Sequence, residues 1–130
     1  MTIQEKNAEI AKMLGWRMGH KNPTETRWKD DWFDTDEIRK TGKGGLEPLL
    51  FHSDANWQFE IIEWIENLKI SKAGYAYFQM TKNNIWIYVY KNHTIHCVAS
   101  FNGVENPKVT KKEAIFEALF QFSQYLKEKN

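Results

Sequence analysis

The chain has 130 residues, of which 42% are hydrophobic and 15% aromatic, with six tryptophans, so it carries the apolar material of a folded core rather than of a disordered tail. Eighteen Lys and Arg stand against 17 Asp and Glu, and a net charge of +1 supplies no long-range attraction to nucleic acid or to an anionic membrane. Cys97 is the single cysteine and has no internal partner, no run approaches the ~18 apolar residues of a membrane span, and Glu5 and Glu9 interrupt any leader, so the cytoplasm is the expected compartment.

Thr2 followed by Glu5 is a capping-box pattern, and Ile3, Ile10, Met13 and Leu14 then share one helical face before Gly15. A first helix over residues 2–14 follows from this. Residues 15–18 and 26–28 flank Asn22-Pro23 and predict two short strands. Residues 34–48 are polar and end in Lys40-Thr41-Gly42-Lys43-Gly44-Gly45, which predicts a mobile loop.

A second helix opens at Ser53 or Asp54, with Trp57, Ile61, Trp64, Ile65 and Leu68 on one face. Ala55, Phe59 and Ile62 make a second apolar stripe, so the helix is expected to be covered on two sides. Residues 75–80, 85–90 and 94–101 have strand character, and their short connections predict an antiparallel meander. In the middle strand Ile85, Ile87 and Val89 alternate with Trp86, Tyr88 and Tyr90, giving an aliphatic face for the helices and an aromatic face opposite.

Thr110 with Glu113 forms another capping box, opening a last helix to about residue 127 with the stripe Ile115, Ala118, Leu119, Phe122 and Leu126. Phe116 and Phe120 widen that stripe and, with Phe59, are candidates for a homodimer interface. The expected fold is a single α+β domain of order αββαβββα, an antiparallel sheet packed against helices in a sandwich-like arrangement.

No motif assembles into a catalytic site. His93 and Cys97 would be ~13 Å apart on a strand with His96 facing away, so they read as a turn histidine, a small buried thiol and a sheet-face histidine, and no metal site is expected. The acids Asp30, Asp31, Asp34, Asp36 and Glu37 lack the glycine and distal glutamate of a calcium loop. Trp28 and Trp32 interleave with them and are candidate ligand-binding residues for a cationic or flat molecule. Gly42-Lys43-Gly44-Gly45 has the glycine content of a phosphate loop without its Gly-Lys-Ser/Thr ending. His52, Ser53 and Asp54 read as helix capping, with His52 and Ser53 the candidate ligands for a small anion beside free amides. No cofactor is implied.

Two resemblances add to this. Thr110-Lys111-Lys112-Glu113-Ala114, after three strands and a preceding helix, resembles the second half of a double-stranded RNA-binding domain over residues 54–127, and implies phosphate contacts from Lys108, Lys111 and Lys112. A basic residue expected next in that motif is Ile115 here. Gly15-Trp16 after a first helix, Phe51-His52-Ser53-Asp54-Ala55-Asn56-Trp57 opening a helix with Ile61-Ile62-Glu63-Trp64-Ile65, and Glu113-Ala114-Ile115 leading into a final helix are similar to the phage ABA-sandwich family. That resemblance spans almost the whole chain and implies a phage or prophage origin with no settled activity. The sequence thus points to a non-enzymatic accessory protein that binds a host protein or a small anionic ligand, counter-defence being one such role, with a nucleic-acid-binding module as the alternative.

Overall fold

The computed structural model describes residues 1–19, 31–33, 49–68, 74–82 and 84–129. The elements run α1 (Ile3–Met13), β1 (Arg17–Gly19), β2 (Asp31–Phe33), α2 (Ala55–Glu66), β3 (Tyr75–Met80), β4 (Asn84–Lys91), β5 (Thr94–Asn102) and α3 (Lys111–Lys129). This is the α+β order αββαβββα. The chain divides into two compact units, Met1–Leu50 and Phe51–Asn130.

In the first unit Thr2 caps α1 as its pattern with Glu5 predicts, the hydroxyl accepting from the Glu5 N–H at 3.1 Å. The helix stops because Gly15 takes φ 86°, where a side chain would clash with the backbone. The Gly15 N–H then donates to Lys12 and the Trp16 N–H to Ala11, both at 3.0 Å, satisfying two carbonyls of the last turn. The buried face is Asn7, Ile10 and Ala11 with Trp16 behind them, so the stripe is rotated from the expected one and Ile3 is 55% exposed. Asn7 holds its place in the buried face by donating to the Ile3 carbonyl at 3.1 Å.

The strands β1 and β2 pair antiparallel, Arg17 opposite Phe33 and Gly19 opposite Asp31. A second short strand lies at Asp31–Phe33, and Trp32-Phe33 supplies the aromatic pair that suits a strand. Residues 26–28 and the glycine-rich stretch 34–48, read from sequence as strand and mobile loop, lie outside the described residues.

The second unit is an αβββα arrangement. Its sheet is the predicted antiparallel meander β3-β4-β5. Lys91-Asn92-His93-Thr94 turns through two residues of positive φ, 54° and 64°, the twist that a two-residue hairpin between right-handed strands requires. Helix α2 packs on β3, α3 packs on β4 and β5, and the two helices touch each other, so both lie on one face. That face is the aliphatic one: Ala76, Ile85, Ile87, Val89 and Ala99 are buried together with Ile61, Ile65, Ile115, Ala118, Leu119 and Phe122. At ~25 cal/mol per Å² of apolar surface removed from water, these side chains are the main favourable term in the unit.

Two capping devices set the helix starts. Asp54 is the N-cap of α2, its carboxylate accepting from Asn56 at 2.8 Å and Trp57 at 3.3 Å. In α3 the predicted box closes in both directions: the Thr110 hydroxyl accepts from the Glu113 N–H at 3.2 Å, and the Glu113 carboxylate accepts from the Thr110 backbone N–H at 3.4 Å and from its hydroxyl at 2.9 Å. A side chain not anticipated ties the helices. Gln58, 1% exposed in the first turn of α2, donates to the carbonyls of Phe51 and Lys112, each at 2.9 Å.

Candidate functional site

The aromatic face of the second unit is built by strand alternation. Tyr75, Tyr77 and Gln79 of β3 stand opposite Tyr90, Tyr88 and Trp86 of β4, and all six point away from the buried aliphatic side. The continuation on β5 is Ile95 opposite Tyr90, Cys97 opposite Tyr88 and Ser100 opposite Trp86. Both helices of the unit lie on the other side, and Tyr75 and Ile95 are 49% and 58% exposed.

The rings are ordered in pairs. Tyr75 and Tyr90 stack with centroids 5.2 Å apart and planes at 25°, and Tyr77 and Tyr88 repeat the same distance and angle. Neighbouring strands lie ~4.8 Å apart, so rings at this separation stand upright beside one another, face against face. One flat face of each ring is therefore turned to its cross-strand partner. What they turn outward is ring edges and phenolic oxygens, a surface that combines apolar contact with hydrogen bonding.

A bulge brings Cys97 onto this surface. Ile87 pairs with Ala99, but the next residue, Tyr88, pairs with Cys97, so Val98 is extra in β5. The bulge reverses the alternation beyond Val98. Cys97, expected as a buried thiol, is instead exposed, while His96 takes the place opposite Val89. His96 accepts or donates a 2.8 Å hydrogen bond with the Thr94 hydroxyl, as befits a sheet-face histidine, and His93 is the positive-φ turn residue.

A second feature is a cavity of about 410 Å³ on the opposite side of the sheet, lined by Lys82, Ile85, Phe101, Val104, Thr110 and Lys111 among others. It brings the β3–β4 turn, the β5–α3 loop and the first turn of α3 together. Of the lysines expected to act jointly from the start of α3, only Lys111 lines it, and Lys82, which the sequence reading did not single out, joins it. Lys108 and Lys112 are exposed beside it.

The other sequence candidates are dispersed. His52 packs edge-on against Phe116 at 5.9 Å, Ser53 is exposed, and the capping role falls to Asp54. Phe116 is buried within the unit, its ring edge-on to His52. Phe120 is half-buried, and Phe59, 56% exposed, is the one of the three that reaches solvent strongly. Trp32 lies in β2 opposite Met18, and Trp28 lies outside the described residues.

Among the described residues no three His, Cys, Asp or Glu side chains are grouped so as to hold a metal ion, and no helix is long and apolar enough to cross a membrane. No protein-family model, curated protein or solved structure matches the chain.

Proposed function

We propose that this chain is a non-enzymatic accessory protein, of phage or prophage type as its motifs suggest, that binds another protein, such as one of its host, through the tyrosine face of the β3-β4-β5 sheet. The observation that carries the reading is the upright pairing of Tyr75 with Tyr90 and Tyr77 with Tyr88 on a face that no helix of the unit covers. Tyrosine is enriched at protein interfaces because it offers large contact area at low entropic cost, with a hydroxyl at its tip. A partner fitting this face presents apolar groups interleaved with carbonyl or carboxylate acceptors. A platform for nucleobases would need ring faces turned outward, and here one face of each ring is turned to its cross-strand partner. The test is a Tyr77→Ser, Tyr88→Ser double variant with unchanged circular dichroism. It loses the protein partner that the wild type retains, and equal retention by both contradicts the reading.

A second reading, polyanion binding of the double-stranded RNA-binding type, has one observation in its favour: Lys82 and Lys111 line a common cavity in a unit of αβββα order. Duplex RNA binding at low salt with a logarithmic salt slope that falls by ~0.7 to 0.9 for each lysine removed supports it. Absence of binding at low salt dismisses it.

A further inference from the structure

The cavity beside α3 differs from the tyrosine face in location and in chemistry. Its floor is apolar and fixed: Ile85 and Ala114 are buried, and Phe101 and Val109 are half-buried against them. Its rim is basic, with Lys82 from the β3–β4 turn and Lys111 from the first turn of α3. Glu113 does not line it, and its carboxylate is engaged by the Thr110 hydroxyl.

One wall of the cavity is held by side-chain hydrogen bonds. The Asn102 carboxamide oxygen accepts from the N–H groups of Val104 at 2.9 Å and Glu105 at 3.3 Å. The Asn84 carboxamide oxygen accepts from the Gly103 N–H at 3.1 Å, and the Asn106 amide donates to the Asn102 carbonyl at 2.9 Å. Four hydrogen bonds thus brace a turn whose central side chain, Val104, is 70% exposed and lines the cavity. An ordered turn that leaves a valine in water at the lip of an apolar hollow loses hydrophobic stabilisation, and a ligand that covers the valine recovers it.

We propose that this cavity binds a small amphipathic anion, an alkyl or aryl chain bearing one carboxylate or phosphate group. The chain lies on Ile85, Phe101 and Val109 under Val104, and the head group is held by Lys82 and Lys111 at the start of α3, where the helix dipole adds to the lysines. The volume falls at the small end of the ~300–1,000 Å³ range of ligand pockets, which suits a chain of this kind rather than a dinucleotide.

The experiment titrates the full chain with four probes by calorimetry: octanoate and octyl phosphate, which carry both features, 1-octanol, which has only the chain, and inorganic phosphate, which has only the charge. Octanoate or octyl phosphate binds, the tighter of the two identifying the head group, while octanol and phosphate are each weaker by at least ~5-fold, the worth of one partly exposed ion pair. Lys111→Gln and Lys82→Gln, both at exposed positions, reduce octanoate binding toward that of octanol. Val104→Ser weakens octanoate and octanol together and leaves phosphate unchanged. Octanol binding as tightly as both anions, affinities indifferent to all three substitutions, or no binding of either amphipathic anion at millimolar concentration overturns the proposal.

Discussion

The side-chain amide of Gln58 donates to the backbone carbonyl of Lys112 at 2.9 Å, joining the first turn of α2 to the first turn of α3 across 54 residues of sequence. The same nitrogen donates to the Phe51 carbonyl at 2.9 Å, so one buried group fixes both the entry into α2 and the seat of α3. Replacing it with leucine, which has similar bulk and no polar atoms, leaves those carbonyls without their side-chain donor. Gln58→Leu is therefore expected to lower stability by about 2 kcal/mol, read as a shift of the urea midpoint at constant slope. An unchanged midpoint would show that the two bonds contribute nothing net.

The capping box of α3 makes a smaller and more local prediction. Thr110→Ala removes the acceptor for the Glu113 N–H and is expected to cost about 1 kcal/mol, while Thr110→Ser keeps the hydroxyl and most of the stability. Amide exchange should quicken over the first turn of α3 in the alanine variant and not in the serine one.

Gly15 is expected to be intolerant of any side chain. At φ 86° a Cβ is strained against the backbone, so Gly15→Ala should destabilise the first unit by about 1 kcal/mol. The measurement is protection of the α1 amides against exchange, and protection equal to the wild type would mean that the turn relaxes to negative φ at no cost.

Cys97 serves as a reporter on the proposed binding face. It is exposed opposite Tyr88, and a maleimide should label it in the folded protein without denaturant. A protein partner seated on the tyrosine face is expected to slow that labelling, whereas octanoate, which would occupy the cavity on the other side of the sheet, should not. Partner binding without protection of Cys97 would move the interface elsewhere.

How much of this was legible in the sequence depends on whether a feature is local. The Thr110 and Glu113 box, the Asn92-His93 turn and the alternation of Ile85, Ile87 and Val89 with Trp86, Tyr88 and Tyr90 are each written within a few residues, and the chain folds as they indicate. Cys97 was misjudged because period-two alternation is reset by the extra Val98, and a bulge has no residue signature when it contains neither glycine nor proline. Gln58 lies among apolar helix positions, where a glutamine reads as solvent-facing. Its burial follows from a carbonyl 54 positions away. The cavity joins a turn, a loop and a helix start, so no single stretch of sequence contains it. The aromatic face itself was visible as a pattern, but the stacking of its tyrosines in cross-strand pairs required coordinates.

The most direct test of the binding account places a photo-crosslinking benzoylphenylalanine at Tyr75 on the sheet face and, as control, at Glu128 near the end of α3. Irradiation in the presence of host extract should give, from position 75 alone, one protease-sensitive adduct that excess unlabelled protein abolishes and whose second component binds again when purified. Adducts of equal yield from both positions, or an adduct from position 75 destroyed by nuclease, would contradict it.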